Sequence, residues 1–164
     1  MQNKLTPKRL RDVLDYDPET GEFRWKARNS NRIKIGAVAG APFGNRGYRV
    51  IGVDGVRYYA HRLAWFYVYG IWPSKDTDHI NGNRDDNRIS NLRVVDRTTN
   101  MENFRKAVRN TVSGFLGVKV DKKRFAATIH VAGKKKYLGM FDTAQEAHQA
   151  YLEAKRKLHK GNTL

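Results

Sequence analysis

An acid and an imidazole stand side by side at Asp78 and His79, and two asparagines, Asn91 and Asn100, close the stretch that follows. Carboxylate and amide oxygens are hard ligands of the kind Mg²⁺ takes while it retains several waters. An imidazole titrates near neutral pH and can accept a proton from water. Together these residue types supply what phosphodiester hydrolysis needs: a nucleophilic water, a base, and a cation to hold charge on the phosphate and the leaving oxygen. Asp78 and Asn100 are the candidate metal ligands and His79 the candidate general base. Asn91 is the candidate partner that holds one ring nitrogen of His79 so that the other accepts. Asn81, Asn83 and Asn87 read as loop formers.

Adjacent residues of a regular strand point to opposite faces, so the strand carrying Asp78 and His79 has to end or twist at His79. The turn at Asn81 and Gly82 permits this. Residues 77–80 and 92–95 read as two strands, and Asp96 caps a helix running to about residue 106, giving a ββα unit. Asn100 sits one turn into that helix, near enough to share a metal with Asp78 if the helix packs across the hairpin.

Upstream, Thr6 and Pro7 open a short helix over 7–15, and Asp17 to Gly21 form a turn before the alternating Phe23 and Trp25. Residues 27–47 read as a basic loop, either a solvated connector or a phosphate-contacting arm. Residues 48–60 predict a β-hairpin across Asp54 and Gly55, and 61–69 a helix stopped by Gly70. His61, at its start, reads as a structural histidine, with phosphate contact as the alternative. Downstream, residues 107–112 form a basic linker. Three strand-like runs then begin at Ser113, and Thr143 with Glu146 forms a capping box ahead of a helix striped by Ala144, Ala147, Tyr151, Ala154 and Leu158.

The 164 residues include 32 Lys and Arg against 16 Asp and Glu, a net charge of +16. A balance this basic points to a polyanion, and without a long amphipathic basic helix the expected polyanion is nucleic acid and not a membrane surface. There is no cysteine, which excludes disulfides and thiolate zinc sites. No apolar leader or membrane-length run is present, so a non-secreted cytoplasmic protein is expected, in the host cytoplasm if phage-encoded.

The ordered series His61, Arg62, Leu63; Asp78, His79, Ile80, Asn81, Gly82; Asn87; Asn91, Leu92, Arg93; Thr99, Asn100 resembles the HNH endonucleases over about residues 57–106. The likeness is to the phage and homing-type branch with a ββα-metal (His-Me finger) core. It implies His79 as general base, Asp78 and Asn100 as ligands of one divalent ion, and Asn91 as the residue orienting His79. The last letter of the motif is Asn100 and not His, with Asn103 close by as the other candidate for the third ligand. The C-terminal segment, through Gly117, Val118, Arg124 to Ile129, Tyr137 to Thr143, Glu146, Ala147, Ala150 and Tyr151, resembles the Apetala2-type (ethylene-response-factor-like) DNA-binding domain. That resemblance implies a three-stranded sheet that enters the major groove, backed by a helix. Alternation puts Arg124, Ala126, Thr128 and His130 on the DNA face, with Lys119, Lys135 and Tyr137 beside them, and Phe125, Ala127 and Ile129 against the helix. Leu116 and His130 stand where that family has arginines, so fewer bidentate guanine contacts are expected.

These readings define an α+β protein: residues 1–106 an HNH nuclease region with its core at 57–106, 107–112 a linker, and 113–164 a DNA-binding domain. The expected activity is metal-dependent hydrolysis of duplex DNA with one divalent ion, Mg²⁺ first and Mn²⁺ second, by a monomer or homodimer with no other protein partner. The alternatives are a DNA-binding or regulatory protein with an inactive nuclease centre, and action on RNA.

Overall fold

The computed structural model describes residues 5–28, 33–104 and 111–163, in which four α-helices are mixed with small antiparallel sheets, an arrangement compatible with the α+β class. The chain divides into two compact units, residues 1–95 and 96–164. The division falls just before Asp96, and the linker expected at 107–112 lies for the most part outside the described residues.

In the first unit Thr6 accepts a hydrogen bond from the Arg9 amide and Pro7 takes the first helical position, so α1 (Pro7–Val13) starts where the sequence places it. It stops two residues before the expected end. Leu14 turns extended and opens β1 (Leu14–Tyr16), which pairs antiparallel with β2 (Phe23–Trp25), Leu14 opposite Trp25. Leu14 is completely buried in this strand, and the ladder gives its backbone the partners a further helical turn would have supplied. The described residues 33–47 of the expected basic loop are more structured than a connector. The Ala39 amide bonds the Phe23 carbonyl, the Trp25 amide bonds Ala37, and Ala39 is fully buried. Its last part forms β3 (Ala41–Phe43), which pairs with β4 (Tyr48–Val53).

β4 folds back on β5 (Val56–Tyr59) through Asp54 and Gly55, both at positive φ (49° and 78°), as the Asp-Gly turn demands. α2 (Ala60–Tyr69) follows at once and buries Leu63, Ala64 and Phe66. These join Leu10, Val13, Leu14, Phe23, Ile51, Val53 and Leu92 in one core. The last element of the unit is the hairpin of β6 (Asp76–His79) and β7 (Leu92–Val95), with Asp78 opposite Arg93 and His79 opposite Leu92.

The second unit begins with α3 (Arg97–Glu102), whose cap Asp96 accepts from the Thr99 amide. The expected extension to residue 106 lies partly outside the described residues. Three strands, β8 (Val118–Asp121), β9 (Arg124–Val131) and β10 (Lys134–Phe141), form an antiparallel sheet with β9 in the centre. α4 (Ala144–Leu158) packs on it through Ala144 and Ala147, beside Val118 and Ala127. Its stripe holds at Ala144, Ala147 and Tyr151, while Ala154 and Leu158 are only half-buried and Lys155 is buried instead, its ammonium donating to the Phe104 carbonyl. The capping box is complete, with Thr143 Oγ1 accepting from the Glu146 amide and Glu146 accepting from the Thr143 amide, both at 3.2 Å. Thr143→Ala should therefore lower the opening free energy of the α4 amides by about 1 kcal/mol, read by native-state hydrogen exchange. No helix among the described residues is long and apolar enough to cross a membrane.

Candidate active site

β6 ends at His79, as the juxtaposed acid and imidazole require, and both side chains are buried, Asp78 at 7% and His79 at 3% exposure. Beyond His79 the chain turns within three residues, the Gly82 amide returning to the His79 carbonyl at 2.9 Å. The Ile80 amide bonds the Asn91 carbonyl at 2.8 Å and so closes the base of the loop that runs from β6 to β7.

Among the described residues Asn87 reaches the imidazole, with Oδ1 3.3 Å from His79 Nε2. The amide nitrogen of Asn87 donates to the Asp85 carbonyl at 3.1 Å, which leaves Oδ1 as the acceptor facing the ring. Nε2 then carries the proton and Nδ1 is the nitrogen with the accepting lone pair. Burial lowers the pKa of His79 from its ordinary value, and the Asn87 hydrogen bond acts in the opposite sense.

Asn91, expected to orient His79, spends its amide on the loop instead. Its Oδ1 accepts from the Asn81 amide at 2.9 Å, and its Nδ2 donates to Asn81 Oδ1 and to the Asp86 carbonyl at 3.1 and 2.8 Å. The division of labour between the two asparagines is thus the reverse of the one read from the sequence, in which Asn87 belonged to the turn. The reason is reach: Asn91 lies at the foot of the loop beside Asn81, whereas Asn87, at 1% exposure, is folded inward under it. Asn81 and Asn83 keep their turn roles, each accepting from the amide two residues on. Asp86, bound by Arg88 and then by Asn81, has its pKa lowered to about 2.

Asn87 is itself braced from the N-terminal hairpin. The Tyr16 hydroxyl donates to its carbonyl at 2.8 Å across 71 positions of sequence. Gly21, at φ 76°, lets the β1–β2 turn come so close that a Cβ there would lie 2.4 Å from the Arg88 amide nitrogen and 2.6 Å from the Asn87 carbonyl carbon. From the other side Arg49 of β4 grips Asp85 with two hydrogen bonds of 2.9 and 3.0 Å. Sequence reasoning found neither Tyr16 nor Gly21 as supports; a Tyr in an alternating strand and a Gly in a turn carry no local mark of such a role.

The imidazole of His79 meets that of His61 edge to face, ring centroids 5.1 Å apart. His61 opens α2, is buried, and stacks on Tyr59, while Tyr48 lies 5.2 Å from it and 6.1 Å from His79. No hydrogen-bond partner reaches His61 Nδ1 among the described residues. Burial, with the neighbouring His79 second, pulls its pKa down to about 3, so the ring is neutral at working pH.

Asp78 faces its cross-strand partner Arg93, whose Nε and second guanidinium nitrogen stand 2.9 and 2.8 Å from Oδ2. Asn100 lies in α3 in the second unit, half-buried, its amide bonded to the Asp96 carbonyl at 3.0 Å. Asn103 is buried, and its side-chain oxygen accepts from the Thr163 hydroxyl, an engagement within its own unit. Among the described residues no three His, Asp or Glu side chains group as a metal site. Asp78 and Asn100 belong to different units, and each by itself offers one oxygen of the kind a hard divalent ion takes.

In the second unit the strand register gathers the six expected DNA-contact residues on one face. Lys119 pairs with Ala126, Tyr137 with Thr128 and Lys135 with His130, and Arg124 alternates with Ala126 on the central strand. Lys119, Arg124, His130, Lys135 and Tyr137 are exposed, and Arg124 is held 2.8 Å from Asp142. Ala126 is buried although it lies on this face, because its short side chain is flanked by Lys119 and Met140 from the two neighbouring strands.

Comparison with known proteins found no match among curated proteins and none among solved structures. Residues 58–102, which run from the end of β5 through α2 and the β6–β7 hairpin to α3, match the family of HNH endonucleases, and that match supports reading this stretch as an HNH nuclease region.

Proposed function

We propose that the protein is a metal-dependent endonuclease that hydrolyses phosphodiester bonds in duplex DNA. The observation that carries the proposal is the buried His79, held through Nε2 by Asn87, at the end of a strand inside the stretch that matches the HNH endonucleases. In this reading His79 Nδ1 takes the proton of the attacking water as the new P–O bond forms, the P–O bond to the leaving oxygen breaks, that oxygen takes a proton from solvent, and the imidazolium afterwards returns its proton to water. Burial keeps the ring neutral and ready to accept near neutral pH. Asp78 and Asn100 would hold one divalent ion, Mg²⁺ first and Mn²⁺ second, and when bound it supplies charge stabilisation at the phosphate and the leaving oxygen. Asn91 serves the site by holding the loop closed.

The proposal extends to the division of the chain: residues 1–106 as the nuclease region of the homing or phage type, 113–164 as an Apetala2-type module that lays Lys119, Arg124, Thr128, His130, Lys135 and Tyr137 on DNA. Its basic character supplies much of the affinity, which then falls with salt. A monomer with one centre cuts one strand per engagement, so a double-strand break takes two protomers or two events. A cytoplasmic site of action belongs to the same proposal.

The second reading, a DNA-binding protein with an inactive centre, draws on the Arg93 guanidinium that already neutralises Asp78. One assay separates them. Supercoiled plasmid incubated with the protein and Mg²⁺ or Mn²⁺ should become nicked or linear, and EDTA should stop the conversion. A protein that shifts the plasmid in a gel yet leaves it supercoiled with every divalent ion tried would sink the nuclease reading in favour of the second.

A further inference from the structure

The antiparallel sheet of β3, β4 and β5 carries an aromatic recess that the hydrolytic chemistry does not use. Phe43, Gly44, Asn45, Arg46, Tyr48 and Tyr59 line an open cavity of about 330 Å³. Its rings meet edge to face, Phe43 on Tyr59 at 6.4 Å and Tyr48 on Tyr59 at 5.4 Å. Phe43 is 47% and Tyr59 38% exposed, although each has apolar surface that a core would readily absorb. The recess is also cationic. The Arg84 guanidinium lies 4.9 Å over the Tyr48 ring and donates to the Arg46 carbonyl at 3.1 Å, while the Arg46 side chain is exposed and no acidic residue lines the cavity among the described residues. Tyr48 forms the wall shared with the catalytic cluster, in contact with the rings of both His61 and His79.

We propose that this recess receives one unstacked nucleobase of the strand being cut, stacked on Tyr59 and Phe43, with Arg46 and Arg84 beside the flanking phosphates. The inference rests on the nuclease reading for its position next to His79. The chemistry favours a base over other occupants. A flat π-face suits rings presented in a concave wall, and every base has one, so the site needs no sequence preference. Bases inside a duplex cannot reach a recess, so the occupant has to leave the stack, at a cost lowest where pairing is already weak. The cations at the rim suit the phosphates on either side of it. Seated there, the base places its own backbone next to the imidazole of His79, which would fix the register of the cut.

The test uses the full chain in EDTA, so that nothing is cut, and fluorescence anisotropy with two labelled probes of equal length and charge: a short oligothymidylate and its abasic counterpart. Wild type should bind the strand with bases about tenfold or more tightly than the abasic one. Tyr59→Ala and Phe43→Ala should weaken binding of the base-containing strand by about five- to tenfold each and leave abasic affinity unchanged, which also shows that the variants are folded. Tyr59→Phe, which keeps the ring, should bind as wild type. Stacking elsewhere, on Tyr137 for example, would leave the base preference equal in all variants and would overturn the proposal, as would equal losses on both probes. Because no cleavage is read, failure here in a protein that still nicks plasmid removes only the base-binding inference. Base-dependent binding in a protein that never cuts removes the nuclease reading and leaves the recess as a base site.

Discussion

His79→Ala should lower the rate of plasmid nicking by about 10²- to 10⁴-fold while DNA affinity measured in EDTA is unchanged, because a general base contributes to the transition state and not to binding of the ground state. Added imidazole should restore part of the activity of this variant, since the cavity left by the ring can admit a free base. Asn87→Ala should lower nicking by a smaller factor, about 10- to 100-fold, the usual scale for a group that orients another. The two changes should not add. Once the imidazole is gone its positioning residue has nothing to hold, so His79→Ala with Asn87→Ala should cut no more slowly than His79→Ala alone. A double variant that loses a further 10-fold would show that Asn87 acts by some route other than the hydrogen bond to Nε2. Wild-type nicking by His79→Ala would remove the imidazole from the chemistry.

Between pH 6.5 and 4.5 the first unit should lose stability, and His61→Phe should remove about one proton's worth of that loss. The folded protein holds His61 with a pKa near 3, well below the ordinary 6.5, because burial disfavours the imidazolium and the neighbouring His79 adds to the effect. The unfolded chain takes up that proton as pH falls through 6.5 and the folded chain does not. The unfolded state therefore binds more protons across the window, and stability falls as pH falls, by up to about 1.4 kcal/mol per pH unit for this one group. The lowered His79 pKa contributes in the same direction, so wild type should be steeper than a one-proton slope. Phenylalanine keeps an aromatic face against Tyr59 and has no proton to gain. Urea denaturation followed by tryptophan fluorescence reads the unit directly, since Trp25, Trp65 and Trp72 all lie in it. Equal slopes in wild type and His61→Phe would mean that His61 is charged in the folded protein.

Much of the fold was legible because its signals are local. The Asp-Gly pair at 54 and 55 takes the two positive φ values of the hairpin turn, Thr143 and Glu146 close their box, and Asp96 caps α3, each within four residues. The errors came where a residue's fate depends on something distant. Leu14 reads as the last apolar residue of a helix, yet pairing with Trp25 draws it into a strand. Ala154 and Lys155 are both near the apolar stripe of α4, and the Phe104 carbonyl decides that the lysine is the one buried.

The same distinction runs through the candidate site. Residue type and spacing alone placed an acid and an imidazole next to each other at the end of a strand, followed by a loop whose Asn and Gly residues turn the chain back to β7. Those features follow from residue type and spacing, and they hold whatever the chain packs against. Which asparagine bonds the imidazole was set by packing from distant parts of the chain. Asn87 and Asn91 are chemically identical, four residues apart, and both close enough in sequence to be chosen. The choice is made by Tyr16 and the Gly21 turn, which press on the backbone of Asn87 from some seventy residues away, and by the Arg49 grip on Asp85 from the other side. Burying that amide under the loop without a partner would be costly, so its oxygen goes to His79 and its nitrogen to the Asp85 carbonyl. Only the folded chain brings these groups together, and no pattern within the loop encodes them.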